Sequence, residues 1–208
     1  MPRTSLAYLG ALCATVTFGV CSIALRAEDS AKTTTADKAD AVKPVELYNG
    51  KDLTGWCYKA ADGTVTKFDG KTDTDDKQFS AKEGIIQAND QPGKGVLWTV
   101  AEFNTDFELR FDFRASVNAD SGVFIRKPQL QVRDYPVAGP YKDLKKYKPQ
   151  DWNEVLVIVK GDTLTATCNG EELKLERIKF KVPPTGGIGL ENDRGVMEYR
   201  NLRVTPIK

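Results

Sequence analysis

Between Phe107 and Arg114 the chain alternates strictly. Phe107, Leu109, Phe111 and Phe113 are apolar, whereas Glu108, Arg110, Asp112 and Arg114 are charged. A period of two matches a pleated strand with one face in a core, and it does not match a helix, whose faces repeat every 3.6 residues. The charged side is then either a solvated ladder of opposite charges or a surface presented to a ligand. Other short runs, separated by turn residues at close spacing, extend the same pattern. Val45–Tyr48 leads into Asn49-Gly50-Lys51-Asp52. A hairpin is predicted over Phe79–Gln87 with Glu83-Gly84 at its tip, and Gly95–Val100 follows. Glu154–Lys160 is apolar on both parities, which predicts a central strand covered on both sides. Gly161-Asp162 turns into Thr163–Cys168, and Asn169-Gly170 is a favoured two-residue hairpin turn. Gly186–Glu191 and Val196–Thr205 are the last predicted strands. With no long helix and no internal repeat, two packed antiparallel sheets, a sandwich or jelly roll, is the predicted fold.

Composition narrows the chemistry. Lys and Arg number 30 against 29 Asp and Glu, so no concentrated basic surface for nucleic acid is expected. The chain has no histidine at all. That removes Ser-His-Asp triads, Cys-His proteases and His-ligated catalytic zinc, leaving carboxylates, Lys, Tyr, Cys, Arg or an oxygen-ligated metal to carry any catalysis.

The amino terminus divides into three parts. Residues 1–27, with Arg3, an apolar run from Leu6 to Leu25 and a small-residue site near Ala27, read as a secretory signal peptide. The competing reading is a membrane anchor, because the run is nearly long enough to span a bilayer. Neither Cys13 nor Cys21 follows a small residue, which argues against a lipoprotein. Residues 28–43 are rich in Ala, Asp, Lys and Thr and predict a disordered linker. The folded domain is expected over 44–208, in a secreted or periplasmic protein with no stable membrane insertion once the signal is removed. Export permits a disulfide between Cys57 and Cys168, and two separate buried thiols are the alternative. Asp73, Asp75 and Asp76 form a loop where calcium is conceivable, but the loop lacks the glycine and distal glutamate of a calcium hand. A solvated loop is the better reading, so no cofactor and no metal ligands are expected.

A family resemblance lies in an ordered series of motifs. Leu47-Tyr48-Asn49-Gly50-Lys51-Asp52-Leu53-Thr54-Gly55-Trp56 resembles the opening signature of the 3-keto-disaccharide hydrolase family. Asp120-Ser121-Gly122-Val123-Phe124-Ile125-Arg126 resembles its Asn-Ser-Gly-Ile-x-x-Arg strand. Gln129-Leu130-Gln131-Val132-Arg133-Asp134 is similar to its Glu-x-Gln-x-x-Asp strand. Tyr141, then Lys148-Pro149-Gln150-Asp151-Trp152-Asn153, follow in order, with Asn169-Gly170, Gly187–Leu190 and Tyr199–Val204 beyond. The resemblance covers 45–206. It implies a concanavalin-like jelly roll of a kind common in exported bacterial proteins. Two positions depart from the pattern: Gln129 stands where the family has glutamate, and Glu191-Asn192-Asp193 stands where it has Gln-x-His.

The activity this resemblance implies is cleavage or hydration of a 3-keto-glycoside. A ketone at C3 acidifies the C2 hydrogen, so the glycosidic bond can break by proton abstraction and elimination. Such a route needs a base near C2 and a donor or cation at the enolate oxygen, not the paired carboxylates of ordinary glycosidases. Asp134 is the first candidate base and is expected to lie near Arg126. Glu191 and Asp193 are the second candidates. Arg126 and Lys148 are candidates to stabilise the enolate, and Gln131, Tyr141 and Asn153 to hold sugar hydroxyls. Trp152 is a candidate stacking platform. Against each stands a structural alternative: Arg126–Asp134 as an ion pair of the scaffold, Trp152 as core, and the Glu108–Arg114 charges as a solvated ladder. A non-catalytic carbohydrate-binding or cell-surface module on the same fold is the alternative function. A carbohydrate ligand is expected in either case.

Overall fold

The structure, a computed structural model, describes residues 43–91, 93, 95–134, 139–175 and 181–207. The predicted signal peptide and residues 28–42 of the predicted linker lie outside them. The described strands in chain order are β1 (Val45–Glu46), β2 (Trp56–Lys59), β3 (Val65–Lys67), β4 (Phe79–Lys82), β5 (Ile85–Ala88), β6 (Gly95–Thr99) and β7 (Phe107–Ala115). They continue with β8 (Asp120–Ile125), β9 (Gln129–Arg133), β10 (Asn153–Lys160), β11 (Thr163–Cys168), β12 (Glu171–Glu172), β13 (Ile188–Asn192) and β14 (Met197–Pro206). No helix occurs among the described residues.

The strands form two antiparallel sheets. The eight-stranded sheet runs β12-β11-β10-β7-β14-β5-β4, with β1 also pairing β14, and the six-stranded sheet runs β3-β2-β6-β13-β8-β9. This is the predicted β-sandwich. The alternating strand β7 buries Phe107, Leu109, Phe111, Phe113 and Ala115 and leaves its four charged residues half-buried on the outside. Its inner face meets Leu97, Val123, Ile125, Leu130, Val132, Ile188 and Leu190 from the other sheet, all within one core cluster. Replacing Phe113 by alanine is expected to cost about 3–5 kcal/mol through lost burial and the cavity left behind.

Turn chemistry fixes the hairpins. Glu83 and Gly84 both have left-handed backbone, at φ 52° and 82°, as a two-residue turn matched to strand twist requires. Asn169-Gly170 repeats that geometry at φ 49° and 78°. In β14 the register against β7 shifts between Arg200 and Arg203, where Asn201 takes φ 55°. The free sheet edge at β4 is shielded. The loop at 72–74 lies along β4 through Ala81 N–H to the Thr72 carbonyl (2.7 Å) and Thr74 N–H to the Phe79 carbonyl (3.0 Å).

Two expectations meet a firmer answer. Strand β10 is central, between β7 and β11, but it is not covered on both sides. Leu156 and Ile158 are only half-buried, because their face meets Arg110, Glu108, Thr165 and Thr167 of neighbouring strands rather than another layer. Cys57 and Cys168 are separate buried thiols in different sheets, so the disulfide does not form. The Asp73–Asp76 loop turns its carboxylates to its own cations and donors. Asp75 pairs with Lys71 at 2.7 Å, and Asp76 Oδ1 accepts from Thr74 Oγ1 at 2.7 Å and Tyr58 Oη at 3.0 Å.

Candidate functional site

The sequence places Arg126 and Asp134 close together, but the fold separates them. They flank the β8–β9 hairpin at opposite ends, with the whole of β9 between them, about 17 Å of extended chain. The expected Arg126–Asp134 pair is therefore corrected. Arg126 sits at the hairpin tip with φ 61° and is nearly buried. It donates from its terminal nitrogens to the carbonyls of Pro183 (2.9 Å) and Thr105 (2.6 Å), and it lies 5.2 Å over the Phe107 ring. Burial pushes its pKa below the usual arginine range, while Asp106 opposes that fall. Gly186 makes the approach possible, since a Cβ there would stand 2.9 Å from Arg126 Cα. Asp134 is also buried. Its Oδ2 accepts from the Asn118 N–H at 2.9 Å and its Oδ1 from Gln150 Nε2 at 2.7 Å. Each residue ties loops together at its own end of the sandwich.

The residues expected to hold sugar hydroxyls are also dispersed. Tyr141 is in the core, its ring 5.6 Å from Phe113, and its hydroxyl donates to the Gln131 carbonyl at 2.8 Å. Together with the hydroxyl of Tyr147, which donates to the Arg133 carbonyl at 3.2 Å, it covers the free edge of β9. Asn153 is fully buried. Its Oδ1 accepts from Lys148 N–H (2.8 Å) and Asn169 Nδ2 (2.8 Å), and its Nδ2 donates to the carbonyls of Lys148 (2.8 Å) and Asp151 (2.9 Å). An amide with both donors and both acceptor sites engaged has nothing left for a sugar. Lys148 enters this network through its backbone while its side chain is exposed. Trp152 is neither core nor open platform. It is half-buried on the outside of the eight-stranded sheet, between the guanidinium groups of Arg114 (4.7 Å) and Arg200 (4.0 Å).

A different set of side chains does converge, on the outer face of the six-stranded sheet. Register fixes it. Gly189 of β13 lies opposite Trp98 of β6 on one side and Phe124 of β8 on the other. The two rings stand 5.5 Å apart over it, and a Cβ at Gly189 would come 2.9 Å from the indole. Two residues on, about 7 Å along β13, comes Glu191. Gln129 of β9 reaches over Gly122 of β8 and donates its Nε2 to Glu191 Oε2 at 2.6 Å. A Cβ on Gly122 would lie 2.0 Å from that nitrogen. Gln131 is opposite Gly122 in the β8–β9 register and is half-buried. One step beyond, Arg133 grips Asp120 with Nε at 2.9 Å and a terminal nitrogen at 2.7 Å.

Glu191 is held from the inside as well. Ser121 Oγ donates to the Glu191 carbonyl at 2.7 Å and so accepts, at 2.8 Å, from the Tyr199 hydroxyl that crosses the core from β14. Burial pushes the pKa of that hydroxyl up, so it stays a donor. The register changes here: Leu190 pairs with Val123, but Arg194 pairs with Asp120, so residues 191–193 oppose residues 121–122. Such a bulge re-aims side chains locally. It sits at Glu191-Asn192-Asp193, where the chain departs from the family pattern, and Asp193 follows half-buried at its end. The departure at Gln129 and the one at Glu191 thus meet in one contact, while Asp193, which stands where the family has histidine, lies outside it.

This geometry sorts the available chemistry. Asp120 is occupied by a bidentate arginine, which engages both of its carboxylate oxygens. Glu191 accepts from the neutral amide of Gln129, which orients its carboxylate. Cys57, opposite Trp98 in register, is buried, and burial raises its thiol pKa despite Lys59 and Lys67 nearby, so no thiolate is supplied at neutral pH. Trp98, Phe124 and Asp120 were not singled out by the sequence reading. The available signal was the alternation Val96-Leu97-Trp98-Thr99, which sets Trp98 opposite in parity to the core residue Leu97.

The two sheets and their register define an all-β jelly-roll sandwich. Residues 43–205 match the 3-keto-alpha-glucoside-1,2-lyase-like domain family, and the chain belongs to that family. No curated protein matches it. Among solved structures it is similar to two from Parabacteroides distasonis ATCC 8503, both provisionally described as glycosyl hydrolases. One is 18% identical with a TM-score of 0.58, covering 79% of this chain and 94% of that one. The other is 19% identical with a TM-score of 0.58, covering 79% and 100%. At such identities the likeness is one of fold.

Proposed function

We propose that the outer face of the six-stranded sheet binds a carbohydrate and cleaves or hydrates 3-keto-glycosides there, with Glu191 as the base. The observation that carries this reading is the placement of an amide-held carboxylate one row from a paired aromatic surface, on a face where Gly122 and Gly189 let these side chains lie close over the sheet. The Trp98–Phe124 surface offers a sugar ring an apolar platform. Glu191 takes the C2 proton, and the electron pair moves toward the C3 oxygen to form an enolate. Gln131, across Gly122, donates to that oxygen. The C1–oxygen bond then breaks, the leaving alkoxide takes up a proton, and the sugar remains as a 1,2-unsaturated 3-ketone. Water adding its oxygen to C1 and a proton to C2 completes hydrolysis. Asp193, at the end of the bulge, is the second carboxylate for that proton traffic. Export to the periplasm or beyond accompanies this reading and is supported by the apolar run Leu6–Leu25 behind Arg3.

A non-catalytic binding module on the same face is the second reading. The Trp98–Phe124 platform favours it, because stacking serves binding whether or not a bond breaks. One experiment separates the two. Aglycone release from a 3-keto-glucoside is measured for the parent and for Glu191→Gln, alongside calorimetric binding. Turnover lost by about 10²-fold or more with binding kept supports catalysis. Binding without turnover in the parent supports the module, and neither in the parent removes both.

A further inference from the structure

We infer that Gln129 is the positioning residue for Glu191, and that the two form an exchangeable carboxylate–carboxamide unit whose charge can sit on either strand. The inference rests on the outer-face reading and deepens it. Gln129 and Glu191 belong to β9 and β13, which are not neighbours, since β8 runs between them. Strands two apart are separated by about 9.6 Å, so side chains that rise straight from the sheet do not meet across that gap. They meet here at 2.6 Å because the residue between them is Gly122, and the glutamine side chain fills the space a Cβ would take.

The chemistry of the pair gives it a direction. A carboxamide nitrogen only donates, so Gln129 orients the Glu191 carboxylate without sharing its proton. A charge-assisted bond of this kind is short and directional. The inward anchor, Ser121 to the Glu191 carbonyl, fixes the backbone, and the amide bond to Oε2 orients the carboxylate. Glutamate and glutamine have the same shape. Exchanging them therefore preserves the bond and moves the negative charge from β13 to β9. Two glutamates at these positions would instead repel, and two glutamines would leave no base.

The test uses the full chain in five forms: parent, Gln129→Glu, Glu191→Gln, the double exchange and, for the amide signal, Glu191→Ala. Glu191→Gln is expected to lose about 10²-fold or more in aglycone release, and Gln129→Glu about tenfold or more through like-charge repulsion. The double exchange is expected to recover at least about tenfold over Glu191→Gln, the remainder being lost to the small displacement of the base. Two readouts do not depend on turnover. The downfield side-chain amide signal of the bonded glutamine in a ¹⁵N spectrum should vanish in Glu191→Ala and persist in the double exchange. The two single changes should also be non-additive in Tm. If the amide signal and the Tm coupling behave so while even the parent shows no turnover, the function fails and the pairing stands. A double exchange no better than Glu191→Gln in a turning-over parent, or additive Tm changes, overturns the inference.

Discussion

The two outer faces of the sandwich are built from the same kinds of residue and end in opposite conditions. On the eight-stranded sheet the charges along β7 find opposite ones. Arg110 meets Glu108 at 3.1 Å, Arg200 meets Asp112 at 2.9 Å, and Arg114 meets Glu198 through two nitrogens. The tryptophan of that face is clamped between two guanidinium groups. On the six-stranded sheet, glycines at 122 and 189 clear space, aromatic rings lean together over one of them, and a carboxylate is held by a neutral amide over the other. An aromatic residue beside charges is thus not enough to mark a ligand face. What distinguishes the second face is a pair of glycines over which a glutamine and two aromatic rings close, and a carboxylate oriented by an amide.

Several substitutions test that contrast. The largest effect is expected at Glu191→Gln, with turnover of a 3-keto-glucoside down by about 10²-fold or more and Tm nearly unchanged, because the side chain is outside the core. Equal loss on replacing Arg110 would erase the distinction between the faces. Next is Trp98→Ala, for which ligand binding by calorimetry should weaken about tenfold, as expected for loss of an aromatic contact of about 1.4 kcal/mol. Trp152→Ala should leave ligand affinity within about threefold and lower stability by about 1 kcal/mol through the two lost cation–π contacts, read by denaturant melts. A loss of affinity at Trp152 matching that at Trp98 would return the site to the opposite sheet.

The smallest expected effect is in pH dependence. Burial pushes the Cys168 thiol up to about 12, above its ordinary value near 9. The folded state therefore holds a proton that the unfolded chain releases. Its contribution to stability is complete below about pH 9 and is lost as pH rises toward about 12. Thermal melts over that range should show the decline, and Cys168→Ala should flatten it. The buried hydroxyls of Tyr141 and Tyr199 act in the same direction.

Local structure was legible because local rules set it. The alternation of Phe107–Arg114, the Glu83-Gly84 turn and the Asn169-Gly170 turn each form as their residues dictate. The site was less legible because register, not sequence distance, assembles it. Arg126 and Asp134 are close in sequence, but a hairpin carries them to opposite ends. Trp98 and Gly189 are far apart in sequence, but the β6–β13 pairing sets them side by side. Asn153 resembled a sugar ligand in its motif and instead closes a turn with all four amide bonds. The sequence marked Gln129 as a departure from a pattern and Glu191 as a departure and a candidate base, without linking the two. Folded, they are a single hydrogen-bonded pair.

The most direct measurement is aglycone release from a 3-keto-glucoside by the parent, Glu191→Gln and Asp134→Asn, assayed side by side on folded protein. The expected result is turnover by the parent, a loss of about 10²-fold or more in Glu191→Gln, and turnover within about tenfold of the parent in Asp134→Asn. Turnover surviving in Glu191→Gln but lost in Asp134→Asn would contradict the placement of the site on the outer face of the six-stranded sheet.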